Sequence, residues 1–208
     1  MRMVITYYGK QFLKITLGDL TIAYNPQDKS FKPSRFGADI ALLSTHHPFS
    51  NGVETVTLGD KEPFLVDGPG EYEIREIDVV GVAVETTIEG VLFINTVYRF
   101  EVDGIMIVCM GHMSEETILS PKVKELAEAA DIIFVPAGDM GTLSASHAYK
   151  FAASCTPSII IPLSYTPESL ARFLKEGGQE DAQHFDKLTL KRKDLEGKES
   201  RIIVLDVQ

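Results

Sequence analysis

The hydrophobic period of the chain changes after Cys109, and that change does most to limit the folds open to it. Upstream, short runs rich in β-branched and aromatic residues alternate with turn chemistry. Residues 4–8, residues 12–17, the Gly18-Asp19 turn and Leu20–Tyr24 predict a meander. Residues 31–37 read as a loop, 40–43 as a buried strand, and 63–66 as another ahead of the Gly68-Pro69-Gly70 turn. Residues 77–84 and Val91–Val102 form longer strand patterns, and Asp103-Gly104 supplies a tight turn into Ile105–Cys109. Downstream, Val123, Leu126, Ala127 and Ala130 fall at helical spacing within residues 121–130. Strand and helix then alternate, with strands at 132–135 and 158–161. Helices are expected at 144–154, capped by Ser144, and at 167–175, stopping at Gly177-Gly178. The acidic 176–181 stretch reads as a solvated turn, and a closing hairpin is expected between Leu188–Leu190 and residues 201–207. Two sheets with helices outside them satisfy both halves as one unit over residues 1–208.

Composition narrows the setting. A chain of 208 residues buries a substantial core without staples, and its longest apolar runs, 132–135 and 159–163, are far too short to cross a bilayer. Residues 1–8 enter a strand pattern without the apolar stretch of a signal peptide, so a cytoplasmic location is the expectation. The two cysteines, Cys109 and Cys155, lie in apolar surroundings and read as buried hydrophobes of a reducing compartment. A net charge of −10 with scattered lysines and arginines would repel a phosphate backbone, so neither nucleic acid nor membrane is an expected partner.

Several segments, in order, carry a resemblance. Thr6-Tyr7-Tyr8-Gly9 with Phe12-Leu13, Tyr24-Asn25-Pro26 and residues 38–44 come first, followed by residues 66–73, Asn95-Thr96-Val97-Tyr98, residues 130–136 and Ile159–Leu163. Together they resemble the metallo-β-lactamase superfamily, in its compact branch of ascorbate-6-phosphate lactonase-like and uncharacterised Zn-dependent hydrolases. The resemblance implies an α+β, four-layer αββα sandwich. It also implies where metal ligands would fall. The family's His-x-His-x-Asp-His coincides with Thr45, His46, His47, Pro48, Phe49 and Ser50, so His47 alone is kept. A family histidine falls on Cys109, a bridging aspartate on His112, and the last histidine on Ser164. Thr45, Ser50 and Ser164 are poor neutral donors, and Phe49 donates nothing, whereas a two-metal hydrolase needs several nitrogen and carboxylate ligands.

The expectation is therefore a metallo-β-lactamase-fold protein with a degenerate metal site and no cofactor, working as a non-hydrolytic binding or assembly module. The alternative is a hydrolase of small esters, lactones or phosphorylated metabolites with one zinc or manganese ion on His47, His112 and Cys109. His46 and Asp67 are expected at the same pocket. Both readings leave room for a small-molecule partner or a homo-oligomer. Cys109 as a nucleophile with His112 as base is weaker, because no third group orients the pair. His147 reads as a helix N-terminal residue, His184 as a surface residue and Asp139 as turn chemistry. No glycine-rich phosphate cradle occurs.

Overall fold

The computed structural model describes residues 1–208 apart from Glu116, Leu119, Ala129, Asp139 and Lys198. The meander is β1 (Met3–Tyr7), β2 (Leu13–Leu17) and β3 (Leu20–Tyr24), followed by β4 (Ile40–Leu42) and β5 (Phe64–Val66). Next come β6 (Gly70–Ile74), β7 (Ile77–Ile88), β8 (Val91–Val102) and β9 (Ile105–Cys109). The alternating part runs α1 (Pro121–Ala127), β10 (Ile132–Pro136), α2 (Ala145–Ser154), β11 (Ile159–Leu163) and α3 (Pro167–Glu176). Short strands close the chain: β12 (His184–Phe185), β13 (Leu188–Leu190), β14 (Arg201–Ile202) and β15 (Val204–Leu205).

Two sheets face each other. The first has the order β13-β1-β2-β3-β4-β5 and the second β14-β11-β10-β9-β8-β7-β6. Strands β6 to β9 pair antiparallel, while β9, β10, β11 and β14 run parallel. Strand period explains the layers, because successive side chains point to opposite faces. Ile132, Phe134, Ile159 and Ile161 join Ile5, Ile15 and Leu42 in the core between the sheets. Their neighbours Ile133, Val135 and Ile160 face the helices, against Leu126, Ala148, Phe151 and Phe173. Each such fully buried Ile, Leu or Phe contributes about 1.5–3 kcal/mol of burial free energy.

Two expectations are corrected in detail. The closing hairpin does not form: Leu188–Leu190 pairs antiparallel with β1, Arg201–Ile202 pairs parallel with β11, and Val204–Leu205 pairs with β12. Pairing with β1 places Leu188 and Leu190 in the sandwich core and covers an edge that a local hairpin would leave open. The helical cover is also one-sided, since α1, α2 and α3 all contribute to the cluster on the second sheet. Over the first sheet, Phe12, Ala23, Ala38, Ala41 and Val56 are packed under a loop layer with Tyr8 and Phe36. That layer carries two single-turn 3-10 helices, Lys29–Phe31 and Val53–Thr55. Gly52 lets it close, because a Cβ there would stand 2.0 Å from the Gln27 carbonyl oxygen. Among the described residues, no helix is long and apolar enough to cross a membrane.

At the amino end of β4, Asp39 ties the sheets together. It accepts the Thr21 amide at 2.8 Å and faces Lys61 and Arg75, each at 3.1 Å, the last from the β6–β7 turn. Burial pushes the Asp39 carboxyl up, but the Thr21 amide and the two cations outweigh it and hold the group below its ordinary value. The folded state therefore binds this proton less readily than the unfolded chain. The stability so gained is present above the ordinary carboxylate range and is lost as pH falls through the folded value. Replacing Asp39 by Ala is expected to cost about 2–3 kcal/mol at neutral pH, since it orphans a backbone amide and unpairs two cations. Urea unfolding at pH 7 and near pH 3 checks this: the deficit of the variant should shrink at the lower pH.

Candidate functional site

The carboxyl ends of β4, β9 and β11 meet at one edge of the sandwich. In the parallel register Phe134 lies opposite both Cys109 and Ile161, so residues 110–112 and Ser164 leave the second sheet at the same end. Ser164 sits at φ 46°, its amide donating to the Lys10 carbonyl at 2.8 Å and to Tyr7 Oη at 3.2 Å, beside the β1–β2 turn. Two buried asparagines hold the loops. Asn25 accepts the Ser44 amide at 2.7 Å and donates to Ser44 Oγ and Gln11 Oε1. Asn95 accepts the His112 amide at 2.7 Å and donates to the Met110 carbonyl at 3.0 Å. Between them Gly111, at φ 63°, passes so close that a Cβ would stand 2.1 Å from Asn95 Oδ1.

The middle of this mouth is aromatic. The Phe49 ring, 1% exposed, packs on His47 at 4.3 Å and stacks on His112 at 5.6 Å between centroids. Strands β7 and β8 run well past their neighbours as a two-stranded arm, and its inner face closes on the same rings. Phe93 meets His47 edge-on at 5.6 Å, and Thr86 Oγ1 lies 2.7 Å from the His112 carbonyl and 3.2 Å from His112 Nδ1. His112 Nε2 donates to the Met140 carbonyl at 3.0 Å. Both ring nitrogens thus have protein partners.

A family model described as a β-lactamase superfamily domain matches residues 4–164. The chain belongs to the metallo-β-lactamase superfamily. Solved structures agree with this assignment. A protein assigned as a Zn-dependent hydrolase of the metallo-β-lactamase superfamily, from Thermotoga maritima, is 26% identical with a TM-score of 0.79, covering 99% of this chain and all of that one. One assigned as a metal-dependent hydrolase from Parabacteroides distasonis is 16% identical with a TM-score of 0.70, covering 99% of this chain and 94% of its own. The metallo hydrolase Igni18 of Ignicoccus hospitalis, at 12% identity and a TM-score of 0.65, covers 92% and 99%. No curated protein matches the sequence.

In this metallo-β-lactamase-superfamily chain the positions assigned to family ligands are occupied as follows. Thr45 is buried, and its carbonyl accepts the Ser50 hydroxyl at 2.8 Å. His47 Nδ1 faces the Phe49 amide at 3.4 Å. Cys109 lies in the core between the sheets, and burial pushes its thiol well above its usual range. His46 stands on the exposed rim, 3.9 Å from Asp67. Among the described residues no three His, Cys, Asp or Glu side chains gather to hold an ion, so His47, His112 and Cys109 do not form such a set. The reason is local: Phe49 packs against both imidazoles, and the thiol belongs to the core. His147 is in the first turn of α2, where Ser144 caps the helix, and His184 pairs with Asp206 at the surface. Asp139 lies outside the described residues.

Sequence reasoning singled out neither Asn25, Asn95 and Thr86 as clamps nor Phe93 as a ring partner. A signal existed for the asparagines, each an amide at the end of or inside an apolar strand and therefore in need of buried partners. Two further buried atoms, Gln11 Nε2 and Thr45 Oγ1, have no hydrogen-bond partner among the described residues. Gln11 and Thr45 adjoin the Asn25–Ser44 network, and the Tyr24 phenol, raised first by burial and then by Cys109, lies beneath it.

Burial lowers the His47 pKa, and the Glu89 carboxylate offsets part of that effect. An NMR titration of the His47 ring should therefore give a midpoint below the reference of about 6.5, and Glu89→Gln should lower it further. Because folding favours neutral His47, its contribution to stability should decline as pH drops through about 6.5. Phe49→Ala should cost about 3–5 kcal/mol in denaturant unfolding, the amount associated with emptying a packed phenyl site.

Proposed function

We propose that this protein has left two-metal hydrolysis behind and works as a binding or assembly module on the metallo-β-lactamase scaffold. The observation that carries this reading is the Phe49 ring packed on His47 and His112, with both nitrogens of His112 engaged by Thr86 and Met140. The donor set does not fit a pair of ions. A hydroxide nucleophile needs several anionic or imidazole ligands around the metal, and hydroxyls and a phenyl ring stand at those positions. A second reading, a one-ion hydrolase, draws on the hydrolase assignments of the similar structures and on the retained His47.

The two readings part on metal. Protein purified without chelator is expected to carry no stoichiometric zinc or manganese by elemental analysis, and stoichiometric metal would overturn the proposal. A complementary test restores the family ligands together: Thr45→His, Phe49→Asp, Ser50→His, Cys109→His, His112→Asp and Ser164→His. The sixfold variant should show a metal-dependent rise in melting temperature that the parent lacks, about 2.7 kcal/mol of added stability at a hundredfold excess over the dissociation constant. A parent that gains the same stabilisation from the ion would return the site to catalysis.

A further inference from the structure

On the helical face of the second sheet lies a cavity of about 750 Å³ that contains none of the residues of the mouth. It runs along α2, where His147, Lys150, Phe151 and Ser154 recur at helical spacing on one side, and α1 supplies Pro121 and Lys124 on the other. From His147 to Ser154 the groove extends about 10 Å along the helix axis. Ile118, Pro121 and Phe151 give it an apolar floor.

Charge is arranged around that floor unevenly. Lys124 and Lys150 stand on opposite walls. Each has a surface partner, Glu128 at 3.8 Å and Glu176 at 3.1 Å, and exposed pairs of that kind hold a lysine weakly enough to be exchanged for a ligand anion. Among the described residues the one carboxylate in the lining is already engaged: Glu115 accepts the Ser144 amide at 2.7 Å and pairs with His147 Nδ1 at 2.5 Å. The lining thus offers two lysines, on α1 and α2, each held only by an exposed pair with a glutamate outside the slot. The volume falls in the range of about 300–1,000 Å³ typical of small-molecule sites, whereas a stable protein interface needs roughly 800 Å² of surface from each partner.

We infer that this cavity is a second ligand site, for a small amphipathic anion whose apolar body lies on Ile118 and Phe151 and whose carboxylate sits between Lys124 and Lys150. The inference does not depend on the state of the mouth. Decanoate is a suitable probe, with decanamide as its uncharged counterpart. Calorimetric titration of the full chain should show saturable 1:1 binding of decanoate, weaker by about tenfold or more for decanamide. The double variant K124E/K150E alters only exposed side chains and should fold normally by circular dichroism. It should lose decanoate affinity by at least about tenfold. Backbone amide shifts on titration should centre on Ile118 and Phe151. Equal affinity for the amide, unchanged affinity in the double variant, or shifts centred on His47 and His112 would each overturn the inference. So would an absence of saturable binding, or self-association by sedimentation that the double variant abolishes without any decanoate binding, which would make the groove a contact between copies.

Discussion

One backbone hydrogen bond, from the Thr96 amide to the Ser44 carbonyl at 2.7 Å, joins the loop leaving the first sheet to the central strand pair of the second. Tyr98, one turn of the pleat further along β8, adds its phenol to the Leu43 carbonyl at 2.9 Å. Much of the mouth takes its place from this seam, while Ser164 is held separately by Lys10 and Tyr7. Residues 45–50 follow from Ser44. Asn95, adjacent to Thr96, fixes Met110 and His112. Gly111 can occupy its left-handed conformation between the two only because nothing larger than hydrogen projects toward Asn95. A site assembled from distant segments of sequence is thereby set by a few buried polar contacts on β3, β4 and β8.

The same contacts tie the loops of the mouth to the scaffold. Where the family would place an ion, the local side chains satisfy one another: Ser50 with the Thr45 carbonyl, His112 with Thr86 and Met140, and Phe49 with both imidazoles. The sandwich core of Ile5, Leu42, Phe100 and Ile161 includes Cys109, so one assigned ligand position belongs to the packing between the sheets.

Much of the fold was legible in the sequence because period and turn chemistry are local. Val91–Val102 and Ile105–Cys109 were bounded correctly, and the Asp103-Gly104 turn joins them in the antiparallel register of Val102 with Ile105. The helix reading of 121–130 overran its end at Ala127, where no glycine marks the stop. Two features were not local. Leu188–Leu190 chose the open edge of β1 over its sequence neighbour, a competition that only the assembled sheet decides. The loop layer over the first sheet packs on Ala23 and Ala41, small residues whose position under it only the assembled sheet decides. At the mouth, the clamps by Asn25 and Asn95 were not legible because they required partners more than ten residues away.

The arm formed by β7 and β8 has a bearing on how the protein behaves in bulk. Beyond Gly81 and Tyr98 its strands pair only with each other among the described strands, and Val91, Leu92 and Ile94 are more than half exposed. Such a ribbon presents free edges and apolar side chains together, the combination that templates strand addition between molecules. Glu85 and Glu89 stand on it as charged interruptions, and the overall charge of −10 keeps neighbouring copies apart. Colloidal stability of this fold is therefore tied to pH and ionic strength. It is lowest near its isoelectric point of about 5.0, where the repulsion that guards the arm disappears.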